Sequence, residues 1–327
     1  VNVSDDGFIG QNAAWSEWMA ALSSRRMHHG WLLSGPKGLG KRAFARAAAA
    51  ELVRPAGGGL PDPRSHPDII ILDHLPKDDK EAAKRAQGKV YEVKRNVTVD
   101  QVRAMQRRLT TRPTLGEKRA IIIDPADDME TAAVNALLKS LEEPPAGTYF
   151  LLIAHQPGRL LPTIRSRCRM LRFAGLSAED LDVMLRRDMP ETDSETRHAA
   201  IEAAHGSAGI AQSFVTHNLS RLHQLMREIM QGGDTDFRLR GALADEVGAR
   251  PSREKLFAVL DLAQAAVSAQ LALGGRERQL RVIDAHGQLA KLAAQAPTYN
   301  FDPGLLVMEI GGLLASAAMP REAAKQH

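Results

Sequence analysis

The chain has 327 residues, enough for two or three domains with separate cores, and 44% hydrophobic with 25% charged residues is an ordinary globular balance. Aromatics are scarce at 4% beside abundant Ala and Leu, which leans helical; a single cysteine excludes an internal disulfide. No apolar run reaches membrane-spanning length and no signal peptide opens the sequence, so a cytoplasmic protein is expected. The net charge of +4 is uneven: 27 basic against 19 acidic residues up to Phe173, then 16 against 20. A basic first half suits a phosphate-bearing partner and equally a solvated surface, and no aromatics are interleaved to stack bases.

In chain order, Gly10-Gln11 precedes a helix predicted over Trp15 to Leu22. His28-His29 reads as loop, because no Cys or carboxylate cluster gives it metal spacing. The short apolar run Trp31 to Leu33 is a strand, and Gly35-Pro36-Lys37-Gly38-Leu39-Gly40-Lys41-Arg42 follows it, opening an Ala-rich helix from Arg42 to Val53. This matches G-x-x-x-x-G-K, with Arg42 where Ser or Thr is expected. Such glycines let backbone N–H groups wrap phosphate oxygens, the helix N-terminus adds positive charge, and Lys41 is placed to reach β- and γ-phosphates. The hydroxyl that helps hold Mg²⁺ is missing, and Arg42 cannot ligate a cation. ATP or ADP bound without hydrolysis and a vestigial, ligand-free loop remain equally open.

Arg54 to Pro67 is a Pro- and Gly-rich loop, and Ile69 to Leu72 a strand. Asp73 to Asn96 is charged, weakly periodic, and reads as an exposed insertion. Val99 to Leu109 is a helix decorated by Arg103, Arg107 and Arg108, read as solvated. Ala120 to Ile123 and Tyr149 to Ala154 suit buried parallel strands, the first ending in Asp124. Between them Thr131 to Leu141 has helical spacing and is stopped by Pro144-Pro145, giving a βαβ unit. Ligands bind at the C-terminal ends of strands in such sheets. From Gly175 the pattern turns helical: Ser177 caps a helix with Asp180 at its third position, breaks fall near Pro190 and His205 to Gly209, and Gln231 to Asp236 is a candidate linker. Arg253 to Leu273, Arg276 to Gln295 and Pro303 to Ala317 are predicted helices, and the tail from Met319 is expected to fray.

Asn135-Ala136-Leu137-Leu138-Lys139, Leu141-Glu142-Glu143-Pro144-Pro145, Pro162-Thr163-Ile164 and Ser166-Arg167-Cys168, in this order and spacing, closely resemble the bacterial clamp-loader subunits of DNA polymerase III, within the AAA+ superfamily. The resemblance implies an α/β P-loop-type domain with a parallel sheet over residues 1–173, a small helical lid over 174–232 and a C-terminal helical collar over 233–327. Specific motifs cover roughly the first two thirds. An active member has an Asp and an adjacent Glu at the end of the third strand, a polar sensor after the fourth, and an Arg in the lid. Here Asp124 is kept, Pro125 replaces the Glu, the sensor falls near His155, and Gly209 stands at the lid Arg. The chain therefore looks most like the delta prime branch, usually without ATPase activity. The resemblance implies membership of a hetero-pentamer with gamma/tau and delta subunits, contact with the sliding clamp and primed DNA through that complex, and Arg167 as a finger acting in trans on a neighbour's nucleotide. Four zinc-binding cysteines common at Arg54 to Pro67 in such subunits are lacking, so neither zinc nor any required cofactor is expected. The alternatives are an ATP-hydrolysing gamma/tau-like subunit or related AAA+ ATPase, supported by the intact Gly38 to Lys41 run, and a direct DNA-binding module, which rests on the basic half alone.

Overall fold

A computed structural model describes residues 8–24, 27–89, 91–272, 275–296 and 301–318. The chain divides into two compact units, residues 1–174 and 175–327.

The first unit is built on a five-stranded, wholly parallel sheet. Its strands are β1 (Gly30–Ser34), β2 (Ile69–Asp73), β3 (Arg119–Asp124), β4 (Thr148–Ala154) and β5 (Arg169–Arg172), in the order β2-β3-β4-β1-β5. The helices are α1 (Asn12–Ser23), α2 (Lys41–Val53), α3 (Asp79–Ala86), α4 (Val99–Leu109), α5 (Thr131–Glu142) and α6 (Pro162–Arg165). Period-2 alternation divides the strand side chains between two cores. Trp31, Leu33, Ile122 and Ile153 join Trp18 of α1 and Phe44 of α2 on one face; Leu32, Ile121, Ile123 and Leu152 join Met105 of α4 and Leu137 of α5 on the other. Both faces being covered, the central strands are continuously apolar, which is why they could be read from sequence. At the N-terminal ends of β2 and β3, buried Arg119 donates to the carbonyls of Arg108, Thr111 and Arg112, and Asp68 accepts from the backbone N–H groups of Thr114 and Leu115. This polar bracket fixes the end of the sheet away from the loops discussed below.

Two features of this unit have no clear pattern in the sequence. Strand β5, Arg-Met-Leu-Arg, buries only Leu171, so as an edge strand it carried no apolar run. The described residues of the Asp73 to Asn96 insertion include α3 and a short antiparallel bridge. Asp78 caps α3 by accepting from Glu81 N–H, Glu81 accepts from Glu92 N–H at 2.7 Å, and Pro76 pairs with Val93 in an antiparallel bridge.

The second unit is helical: α7 (Ala178–Asp188), α8 (Ser194–Ala204), α9 (Ala208–Thr216), α10 (Ser220–Gly232), α11 (Arg238–Val247), α12 (Arg253–Ser268), α13 (Arg276–Gln295) and α14 (Pro303–Ser316). Ser177 caps α7 by accepting from Asp180 N–H, as its spacing predicts. The break after α8 needs glycine: Gly206 has φ +89, and a Cβ there would lie 2.8 Å from the Gly175 Cα. The candidate linker at Gln231 to Asp236 begins in the last turn of α10 and holds a buried acid. The Asp234 carboxylate is fully buried and accepts from the N–H groups of Leu239 and Arg240 and from the Arg240 guanidinium. A buried carboxylate with three donors pins the start of α11, which a polar, Gly-containing stretch does not reveal. Leu273, Gly274, residues 297–300 and the tail from Met319 lie outside the described residues. No helix among the described residues is long and apolar enough to cross a membrane.

Candidate functional site

The C-terminal ends of β1, β3 and β4 are neighbours because β4 lies between the other two. The loop from Gly35 to Gly40 leaves β1 and enters α2. Its glycines are conformationally required: Gly38 and Gly40 have φ +84 and +79, and a Cβ on Gly35 would meet the Phe173 carbonyl oxygen at 2.7 Å. Gln11 donates to the Ala174 carbonyl at 2.7 Å and, more weakly, to the Leu39 carbonyl at 3.5 Å, so the N-terminal segment does reach this loop.

Lys41 is 3% exposed. Its ammonium turns back into the loop, donating to the Gly35 carbonyl at 2.5 Å and the Pro36 carbonyl at 2.6 Å. Burial pulls its pKa down to about 8, against the opposing pull of Asp127 and Asp124. Arg42, next on α2, sends its Nε–H to the Asp124 carboxylate at the end of β3. Sequence reading flagged both residues separately; their pairing bridges 82 positions, and no local spacing signals it.

Asp127, just beyond the end of β3, anchors the end of β4. One oxygen accepts from the N–H groups of His155 at 2.9 Å and Gln156 at 2.6 Å, while its other oxygen is buried without a hydrogen-bond partner. His155 sits beside it with Nδ1 likewise buried and unpartnered. Burial, reinforced by the charge of Lys41, lowers the His155 pKa, so the ring is neutral at pH 7 despite Asp127. Pro125, just after β3, brings no side-chain acceptor to the strand end. Gly209 is the second residue of α9, in the other unit.

The residues do not fit a bound Mg²⁺. The hydroxyl position carries a guanidinium, that guanidinium engages the one carboxylate expected to face the metal, and the described residues contain no group of three or more His, Cys, Asp or Glu placed to hold an ion. The loop keeps left-handed glycines at Gly38 and Gly40 immediately before α2.

Arg167 lies apart from this loop, just after α6. Its Nη2 pairs with Glu142 Oε1 at 2.6 Å and Nη1 donates to the Thr163 carbonyl at 3.0 Å, leaving the side chain 34% exposed. Nearby arginines are engaged otherwise: Arg169 with Glu17 at 2.8 Å, Arg159 with Asp128 at 3.7 Å. Glu142, in the motif before the paired prolines, was not foreseen as a partner. Burial pushes the Cys168 thiol up to about 12, which fits a packing residue and not a nucleophile.

A family described as DNA polymerase III, delta subunit, matches residues 10–177. The chain belongs to this family. Among curated relatives, DNA polymerase III subunit delta' of Pseudomonas aeruginosa is 37% identical over 218 residues, 62% of this chain and 59% of that one. Subunit delta' of Escherichia coli is 30% identical over 216 residues, 60% of each chain. Subunit gamma/tau of Mycobacterium tuberculosis is 31% identical over 183 residues, 55% of this chain and 30% of that one. This family member thus spans 59% and 60% of the two delta' relatives. The matched region, residues 10–177, takes in the loop, Asp124, His155 and Arg167, so the changes at Arg42 and Pro125 lie inside the family region and not in an appended segment.

Proposed function

We propose that this chain is a delta prime-type subunit of a DNA polymerase III clamp loader: a scaffold that does not itself hydrolyse ATP and lends Arg167 to a neighbouring ATPase subunit. The observation that carries the reading is the Arg42–Asp124 pair in a family member, which commits the metal-facing carboxylate to a side chain of the protein itself. Pro125 and Gly209 point the same way, since neither can orient water or touch a phosphate by charge.

In this reading the partners are gamma/tau and delta subunits in a hetero-pentamer, and the sliding clamp and primed DNA are engaged through the complex. Residues 174–232 act as the lid and 233–327 as the collar. Arg167 suits a finger because a guanidinium stays charged and can bond two phosphate oxygens at once. Its present partners, Glu142 and Thr163, hold the arm and leave other N–H groups free for a phosphate.

Steady-state hydrolysis by the isolated chain tests the first half of the proposal: no turnover above background is expected. Turnover that disappears on Lys41→Ala would favour the second reading, an ATP-hydrolysing gamma/tau-like subunit. That reading is supported by the intact Gly38 to Lys41 run and by the gamma/tau relatives.

A further inference from the structure

We infer that Arg42 is a built-in counter-cation: its guanidinium stands where a divalent metal would sit and closes this site to metal-bound nucleotide. The inference concerns the chain's own site, deepens the reading above, and holds whether or not the chain joins a clamp loader.

In a P-loop of this pattern the metal is held between the side chain after the lysine and a carboxylate at a neighbouring strand end. Those two places are Arg42, second residue of α2, and Asp124, last residue of β3, and here they bond to each other directly. The exposures fit a charge substitution. Asp124 is 5% exposed and needs a compensating cation; Arg42 is 53% exposed, so its guanidinium neutralises the carboxylate on one side while staying hydrated on the other. Magnesium requires several oxygen ligands in near-octahedral array. To take the Asp124 Oδ2 it would have to expel a guanidinium tethered one residue from the loop, and it would find no hydroxyl in exchange.

The surroundings hold the same state. Lys41 is spent on the loop carbonyls, and one Asp127 oxygen is spent on the end of β4. The other Asp127 oxygen is unpartnered, but a single carboxylate oxygen beside a buried ammonium makes no metal site. The site is therefore closed by one residue: the fold, the loop and the acid remain.

The test is Mn²⁺ uptake by the isolated full-length chain, read by electron paramagnetic resonance with ADP as the nucleotide and ADP alone as the blank. The unmodified chain should take up no Mn²⁺ beyond the blank. Arg42→Thr, which restores the hydroxyl and removes the cation, should take up one equivalent at least ~10-fold more tightly than the blank. One equivalent bound by the unmodified chain overturns the inference, and so does a folded Arg42→Thr that binds none. Should Arg42→Thr fail to fold, the unmodified chain still decides by ¹⁵N NMR. The Arg42 Nε–H resonance should be unmoved by excess Mg²⁺ and should shift in Asp124→Asn; displacement by Mg²⁺ would show that the metal can take the place. Uptake needs no other subunit, so its failure is separable from a failure to assemble.

Discussion

Asp234→Asn should destabilise the helical unit strongly without touching its surface. The carboxylate between α10 and α11 accepts from Leu239 N–H at 3.0 Å, Arg240 N–H at 2.9 Å and Arg240 Nε–H at 3.0 Å, and it has no exposure. Asparagine keeps the shape but only one acceptor oxygen, and turns an amide donor toward groups that are themselves donors. Each charge-assisted hydrogen bond lost is worth about 1.5–3 kcal/mol. A buried ion pair broken at one partner costs about 3–5 kcal/mol in all, and the two figures overlap rather than add. Arg240, 16% exposed, is left without its counter-charge. The expected loss is about 3–5 kcal/mol, or roughly 6–20 °C in Tm for a unit of this size. Far-UV circular dichroism during urea unfolding reads it, while fluorescence of Trp15, Trp18 and Trp31 reports the first unit alone. The pH dependence carries a sign. Burial works against the Asp234 charge, but the N–H donors and Arg240 win and hold its pKa below 3.8. The stabilisation is therefore complete above the unfolded value and lost as pH falls through the lower folded one, so the gap between variant and parent should close in acid. A difference within ~1 kcal/mol at pH 7 would refute the assignment of this turn as a pinned joint.

Lys41 makes the opposite kind of prediction. Its folded pKa of about 8 lies below the unfolded 10.5, so the unfolded chain binds more protons between those values, and stability should rise with pH across that window. Lys41→Met should flatten the rise, as urea unfolding at pH 7.5 and about pH 10 would show. Glu142→Gln should leave a reconstituted complex assembled and lower its DNA-stimulated ATP hydrolysis, because Arg167 loses the one carboxylate among the groups that orient it; Arg165→Ala serves as the charge control, and a Glu142→Gln rate equal to that of the unmodified complex would remove the positioning role. Leu280 and Ile283 lie exposed on one face of α13 at 58% and 55%. Converting both to Glu should preserve the helical signal and weaken subunit assembly measured by analytical ultracentrifugation; unchanged assembly would move the collar contacts elsewhere.

Much of the first unit was legible because its central strands are buried on both faces, which leaves continuous apolar runs, and because the phosphate-loop glycines are sterically obligatory. β5 was not, since an edge strand with one buried side chain has no pattern to read. α3 is stabilised by the Asp78 cap and the Glu81–Glu92 bond, features a charged stretch conceals. At the site, the sequence named the right residues but not their partners. Arg42 was read as a cation that cannot ligate metal; that it bonds Asp124 depends on the strand order, which brings β1 and β3 to either side of β4. Glu142 went unnoticed for the same reason: Arg167 reaches it only once α6 has turned the chain back toward the end of α5. At Gln231 to Asp236 the buried Asp234 carboxylate is concealed by the polar residues and glycines around it.

The central claim, that this chain serves a neighbour's nucleotide and not its own, is tested most directly by comparing two substitutions in one reconstituted clamp loader. Both would be made only in this chain, with DNA-stimulated ATP hydrolysis measured at saturating clamp and primed DNA. Lys41→Ala should leave the rate unchanged, and Arg167→Ala should lower it by up to the share of turnover carried by the one neighbouring site, since a finger is worth ~10³–10⁵ at its own site while other subunits retain theirs. A fall with Lys41→Ala and an unchanged rate with Arg167→Ala would contradict the account outright.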